Sequence, residues 1–297
     1  TIQHDSRNEL FLEFYNWVEY FIPNFFIIEN VRGLTSRKNN FGKSYKELII
    51  DKFKKIGYKI DIWILNALNY GVPQQRIRVF FVGSRIGHST IEKPVVTHLH
   101  LGGDNFLFPV TVGEAISDLP IIEAGEGFEE QDYDIPPLND YQRWIRYNSD
   151  RIYNHVAMQH SDRLVERYKM IQNGKKLEEL PSEYKVRRRG NSSSVSSVKF
   201  DLNYRILHAN KASLTIPASF YSSFIHPFQP RNITAREAAR LQSFPDNYIF
   251  YGKRTLVSNS LLQKKGITPR LSQYNQIGNA VPPLLAKAIA EKMISLL

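Results

Sequence analysis

The 297-residue chain is strongly basic, with 39 Lys and Arg against 29 Asp and Glu and a formal net charge of +10. That excess attracts a polyanion but carries no information about the fold. The absence of cysteine excludes disulfides and thiolate metal sites within these residues, and no stretch is typical of a membrane span or a secretory leader. We therefore expect a cytoplasmic protein without membrane contact.

The first predicted elements are a helix and a buried strand. Asp5 and Ser6 can cap a helix whose apolar residues fall on one face, and Pro23 ends it. Residues 25–28 form a short, unbroken apolar run that ends in polar residues. This pattern is typical of a strand buried on both faces of a parallel sheet.

Regular alternation continues to about residue 85. A helix is predicted over residues 44–56, because Gly57 provides the residue type that favours a helix C-terminus. Strands are predicted at residues 60–65 and 78–83. Strands and a helix at such short spacing predict an α/β layered domain.

The middle of the chain is predicted to be irregular. Thr111-x-x-Glu114 is a capping box for a short helix that ends at Pro120. Residues 185–190 form a basic run before a serine-rich stretch, and we expect a loop there. His98-x-His100 lacks further ligands nearby, so we expect a surface loop and no metal site.

Helical structure is predicted to return near the carboxyl terminus. Thr234-x-x-Glu237 is a second capping box, which opens a helix to about residue 243. Pro282 and Pro283 then stand at the start of a helix that runs to residue 297, because proline is favoured in the first turn.

Several polar residues are candidates for a functional site. Glu29 follows the first predicted strand, at the end where open α/β sheets hold ligands. Gln74, Arg76 and Arg78 alternate along the start of another strand, so their side chains are predicted to share one face. From the residues alone, they form either an ion-pair network or a preorganised site for an anionic or carbonyl-rich ligand.

Four stretches resemble, in order, the motifs of the DNA cytosine-5 methyltransferase family. They are residues 26–34 (FIIENVRGL), 66–83 (NALNYGVPQQRIRVFFVG), 231–245 (RNITAREAARLQSFP) and 276–283 (QIGNAVPP). Residues 205–215 are also similar to the end of that family's recognition module. The resemblance implies part of a Rossmann-like methyltransferase sheet plus a smaller, irregular target-recognition domain.

The resemblance also implies a reaction, in which carbon 5 of a flipped-out cytosine receives a methyl group from S-adenosylmethionine. A thiolate adds to carbon 6, and the ENV glutamate, here Glu29, gives a proton to N3. Burial would raise the pKa of Glu29 enough for it to hold that proton. Arg78 would contact the cytosine carbonyl oxygen, and Arg76 would orient the glutamate and the DNA backbone.

Binding residues follow from the same resemblance. Asn279 and Val281 would close the S-adenosylmethionine pocket, and Gln74 is expected to contact the substrate or DNA. Arg187, Arg188 and Arg189 either meet DNA phosphates or form a solvated loop. The expected domains are residues 1–90 (catalytic), 91–231 (target recognition) and 232–297 (return to the catalytic domain).

Two segments of the family pattern have no match in the chain: the glycine-rich cofactor loop and the Pro-Cys nucleophile segment. We therefore expect the carboxyl-terminal part of a restriction-modification enzyme, inactive alone, with an amino-terminal methyltransferase part and double-stranded DNA as partners. Strand 25–28 would then have an open edge. The alternatives are a non-catalytic DNA-binding or regulatory relative, and a transfer-RNA cytosine-5 methyltransferase.

Overall fold

The structure is a computed structural model, and it describes residues 10–39, 41–99, 106–188, 191–196, 203–254 and 271–296. The predicted helix cap at Asp5 and Ser6, the second histidine His100 and the basic residue Arg189 lie outside these ranges. The chain forms two compact units. The first comprises Thr1–Tyr70, Arg76–Leu107 and Leu284–Leu297, and the second comprises Gly71–Gln75 and Phe108–Pro283.

Helices and strands are distributed along both units. The helices are α1 (Leu10–Phe21), α2 (Tyr45–Lys55), α3 (Val112–Ile116), α4 (Asp140–Ile145), α5 (Asp162–Gln172), α6 (Ala235–Leu241), α7 (Gln273–Asn279) and α8 (Pro283–Ile294). The strands are β1 (Phe25–Val31), β2 (Tyr58–Asn66), β3 (Gln74–Gln75), β4 (Ile77–Arg85), β5 (Gly127–Gln131), β6 (Ile152–Val156), β7 (Arg187–Arg188), β8 (Asn191–Val195), β9 (Arg205–Ile206), β10 (Ser213–Leu214) and β11 (Phe224–Ile225). The predicted order of elements up to β4 is thus confirmed.

The sheet of the first unit has the order β1-β4-β2, and β4 is antiparallel to both neighbours. The prediction of a parallel sheet around β1 was wrong, because the connection from β2 to β4 is too short for a parallel crossover. β1 is also less buried than predicted, since only Phe26 is fully buried in it. Within the described residues, β4 is the one strand that pairs with β1.

The core of the first unit lies between this sheet and helices α1 and α2. Val18 of α1 and Phe53 of α2 are buried there, and the Phe53 ring centroid is 4.5 Å from that of Phe26. A capping box between Ser44 and Glu47 opens α2. Gly57, with φ of +85°, ends the helical path as the sequence predicted.

The core of the second unit surrounds α6, in which every residue is buried. Its strands form separate two-stranded pairs: β3 with β10, β5 with β6, β7 with β8, and β9 with β11. The basic run predicted as a loop is instead part of an antiparallel hairpin, in which Arg187 lies opposite Val195. The sequence did not predict β7 and β8, because a short, polar hairpin lacks the apolar alternation that indicates a strand.

Three further sequence predictions concern the domain boundaries, His98 and membrane spans. The functional domains at residues 1–90, 91–231 and 232–297 stay a prediction. His98 is half-buried and forms a β-bridge with Leu107, so it is not simply a surface loop residue. Within the part of the chain that the structure describes, no helix has the length and apolar character needed to cross a bilayer.

Candidate active site

Glu29 and Arg78 meet on one face of the first unit's sheet. Glu29 lies opposite Phe80 and Arg78 opposite Val31, so the two residues are diagonal neighbours across the β1–β4 pair. The Arg78 Nε atom is 2.9 Å from Glu29 Oε1, and the two side chains are 13% and 29% exposed. The sequence placed Glu29 after the end of the first strand, but in the structure Glu29 lies within β1.

Arg76 supports this pair from a buried position just before β4. Its side chain is only 1% exposed. Its backbone is fixed to the end of β2, because its N–H donates to Asn66 Oδ1 (3.1 Å) and its carbonyl accepts from the Ala67 N–H (2.9 Å). Burial lowers the pKa of Arg76 to about 10, with a further contribution from Arg78, so the guanidinium stays charged at neutral pH.

The environment of Glu29 favours its protonated form. Burial raises the pKa of this carboxyl, and the positive charges of Arg78 and Arg76 oppose that effect without cancelling it. Because the pKa is raised, the proton is retained at a higher pH than on a free glutamate and is lost as the pH rises through the raised value. The site thus combines a carboxyl of raised pKa with two cations.

Gln74 belongs to the second compact unit. It lies in β3, which pairs with β10, while Arg78 lies in β4, so the predicted continuous strand is interrupted at Arg76. The Gln74 side chain is fully buried; its amide donates to the Leu241 carbonyl (3.2 Å) and accepts from the Ile216 N–H (3.0 Å). The contact of Gln74 with substrate or DNA stays a prediction, while in this structure its amide holds β3 to other segments of the second unit.

Asn279 and Val281 lie at the carboxyl end of α7, in the second unit. Asn279 is exposed and Val281 half-buried. The sequence did not predict α7, although Ser272 and Asn275 form a capping box at its start. Gly278 lets α7 approach a neighbouring segment, because a Cβ atom there would lie 2.5 Å from Ala218 Cα.

The basic hairpin β7–β8 displays Arg188, which is exposed, beside the half-buried Arg187. Two arginines of α5 hold the base of this hairpin. Arg163 donates to the carbonyls of residues 183 and 185, and Arg167 donates to the Tyr184 carbonyl (2.5 Å). Sequence reasoning missed both, since an arginine on an amphipathic helix normally indicates a solvated face.

The sequence analysis did not predict a second set of ion pairs, which is buried in the second unit. Arg231 is bidentate to Glu237, with nitrogen–oxygen distances of 3.0 and 2.7 Å. Burial raises the pKa of Glu237, but Arg231 and His226 outweigh that effect and hold it well below its usual range. Arg240 similarly bridges Asp118 and Asp246. These pairs have no surface access and therefore serve the fold.

Comparison with known proteins identifies the family. The family model of C-5 cytosine-specific DNA methylases matches residues 2–295. The type II methyltransferase M.DdeI of Desulfomicrobium norvegicum is 46% identical over 98% of this chain and 68% of its own length. For M1.HphI of Haemophilus parahaemolyticus, the identity is 33% over 100% of this chain and 63% of the relative.

A solved structure agrees with these sequence matches. A crystal structure described as a prophage-encoded DNA modification methyltransferase (E. coli) matches with a TM-score of 0.64 and 25% identity, over 98% of this chain and 75% of that one. The chain thus spans about two thirds of the length of the curated relatives named above. It belongs to the C-5 cytosine-specific DNA methylase family.

Proposed function

We propose that this chain provides the N3-proton donor and the DNA-recognition module of a restriction-modification DNA cytosine-5 methyltransferase. The observation that carries the proposal is the Glu29–Arg78 pair, with Arg76 buried next to it. A carboxyl of raised pKa beside two arginines suits a base whose ring nitrogen gains negative charge during the reaction. The named relatives, type II methyltransferases, support the reaction class.

Each of the three residues has a distinct role in this proposal. Glu29 donates its proton to N3 of a flipped-out cytosine as a thiolate adds to carbon 6. Arg78, already 2.9 Å from Glu29, holds the carboxyl and contacts the cytosine carbonyl oxygen. Arg76 orients Glu29 from its buried position. After deprotonation, the carboxylate is stabilised by both guanidinium groups.

S-adenosylmethionine supplies the methyl group when it is bound. Asn279 presents an exposed amide, and Val281, two residues later, presents a half-buried apolar side chain. One hydrogen-bonding and one apolar side chain fit a ligand that has both an amino-acid portion and an adenine ring. We infer that these residues form one wall of that pocket.

The reaction also needs a thiolate, and these 297 residues contain no cysteine. We infer that methyl transfer requires a cysteine-bearing amino-terminal methyltransferase part, whether as a second polypeptide or as further residues of the same one. Such a part would pair with the edge of β1 that faces away from β4. By this proposal, the 297 residues alone are inactive.

DNA recognition is assigned to residues 91–231. The hairpin β7–β8 presents Arg187 and Arg188 from a base that Arg163 and Arg167 hold in place. Side chains on a supported hairpin can contact phosphates with a small loss of conformational entropy. Arg189 lies between the two strands in sequence and joins the proposed contact.

The test is Glu29→Gln, assayed in the enzyme assembled with its cysteine-bearing part. Glutamine keeps the shape but has no carboxyl proton, so methyl transfer should fall by about 10²-fold or more. DNA binding should persist, since the protein still folds. Glu19→Gln, an exposed change on α1, is the matched control and should retain full activity. Equal turnover by Glu29→Gln and the parent would favour a structural role for Glu29, as in a non-catalytic DNA-binding relative.

A further inference from the structure

An exposed aromatic residue stands at the tip of a basic loop that directly follows β1. Phe41 is 93% exposed, which is the largest value for any large hydrophobic side chain in the described part of the chain. Exposure of one apolar residue is common, but a phenylalanine that is almost wholly in water makes no contribution to the core. Neither the buried core nor the Glu29 site uses it.

The loop around Phe41 is built by specific hydrogen bonds. The Asn39 side-chain oxygen accepts from the N–H groups of Phe41 and Lys43, both at 3.0 Å. The Asn39 N–H donates to the Lys43 carbonyl at 2.9 Å, and Lys38 forms an antiparallel bridge with Ser44. These hydrogen bonds hold the backbone of Phe41 and Lys43 to Asn39, while the Phe41 ring faces outward.

The sequence segment that contains Phe41 carries a single sign of charge. Between Glu29 and Glu47 the sequence has five basic residues and no acidic one. Arg32 and Lys38 are exposed, whereas Lys43 is paired with Asp51 of α2. Exposed cations in the same segment as an outward-facing aromatic ring suit nucleic acid, because cations can bind its phosphates and the ring can pack against a base or sugar.

We propose that residues 32–39 and 41–46, here called the Phe41 loop, form a second DNA contact, separate from residues 91–231. The inference rests on the proposed function, because it assumes that the chain acts on DNA. Arg32 and Lys38 contact phosphates, and Phe41 packs against a base or sugar of the strand distorted by base flipping. The loop follows the strand that carries Glu29, so the contact holds the DNA at the unit that performs the chemistry.

The experiment measures binding of the 297-residue chain to a fluorescent mixed-sequence duplex over a series of salt concentrations. Phe41→Ala should weaken binding by roughly tenfold at fixed salt and leave the salt slope unchanged, because it removes stacking and no charge. The double variant Arg32→Gln/Lys38→Gln should flatten the slope of log K against log salt by about two, since each phosphate contact contributes about 0.9.

Matched controls separate this contact from general effects of charge and exposure. Tyr20→Ala removes another exposed aromatic ring, 78% exposed on α1, and should leave affinity unchanged. Lys93→Gln/Lys287→Gln removes two exposed lysines from the same unit and should leave the slope almost unchanged. If the Phe41-loop variants behave like these controls while the parent binds DNA, the loop contact is refuted and the proposed function stands. If the parent does not bind DNA even at low salt, the proposed function is refuted with it.

Discussion

At the scale of single residues, neighbours and not residue type determine the behaviour of the carboxyl groups. Glu29 and Glu237 are both paired with arginine, yet their pKa values move in opposite directions. Burial dominates at Glu29 and raises its pKa, whereas at Glu237 the combined effects of the bidentate Arg231 and the nearby His226 outweigh burial and lower the pKa. A raised pKa suits a proton donor, and a lowered pKa suits a permanent structural anion.

Gly278 provides a test of packing at this scale. Its missing side chain allows α7 to contact the backbone of Ala218, where a Cβ atom would lie 2.5 Å from both Cα and N. Backbone atoms cannot move aside as a flexible side chain can. We therefore expect Gly278→Ala to lower the free energy of unfolding by about 1–3 kcal/mol, the usual cost of overpacking.

Chemical denaturation measures this change. Gly33→Ala is the matched control, because a Cβ atom at Gly33 meets nothing within 4 Å. It should alter stability by less than about 0.5 kcal/mol, as surface substitutions normally do. Equal midpoints for Gly278→Ala and the parent would mean that α7 does not contact residues 217–218 as described.

At the scale of elements, α6 is held by charges where an ordinary core helix has apolar residues. Arg240 bridges Asp118 and Asp246, and all three side chains have no exposed surface. Arg240→Met would leave two carboxylates buried without their main partner. We expect a loss of about 3–5 kcal/mol in the free energy of unfolding.

Thermal and chemical unfolding of Arg240→Met can be compared with those of Arg143→Met. Arg143 pairs with the exposed Asp140 on α4, at the surface, so its replacement should cost about 0–1 kcal/mol. A variant Arg240→Met as stable as Arg143→Met would show that the buried network contributes little.

The sequence predicted elements better than their arrangement, for physical reasons that particular residues illustrate. The capping boxes at Thr111 and Thr234 are local signals, and both helices begin where predicted. The orientation of β4 follows from the short connection after β2, whereas the apolar run of β1 alone does not reveal which strand pairs with it. Likewise, Glu29 with Arg78 could be proposed from motifs, but the burial of Gln74 depends on contacts with residues 216 and 241.

At the scale of the whole molecule, the two compact units divide the proposed tasks. The Glu29 site and the Phe41 loop belong to the first unit, while the basic hairpin and the segment with Asn279 and Val281 belong to the second. The net charge of +10 suits a chain that binds DNA through both units. These residues contain no thiol, so in the proposed function the catalytic groups are divided between this chain and a cysteine-bearing part.

Transfer of tritium from labelled S-adenosylmethionine to mixed-sequence duplex DNA tests that claim most directly. The 297-residue chain alone should give only background label, and addition of the cysteine-bearing amino-terminal part should restore incorporation into cytosine. A cysteine-to-serine change in the added part should abolish the label again, because the thiolate is the nucleophile. Robust incorporation by the purified 297-residue chain alone would contradict the account.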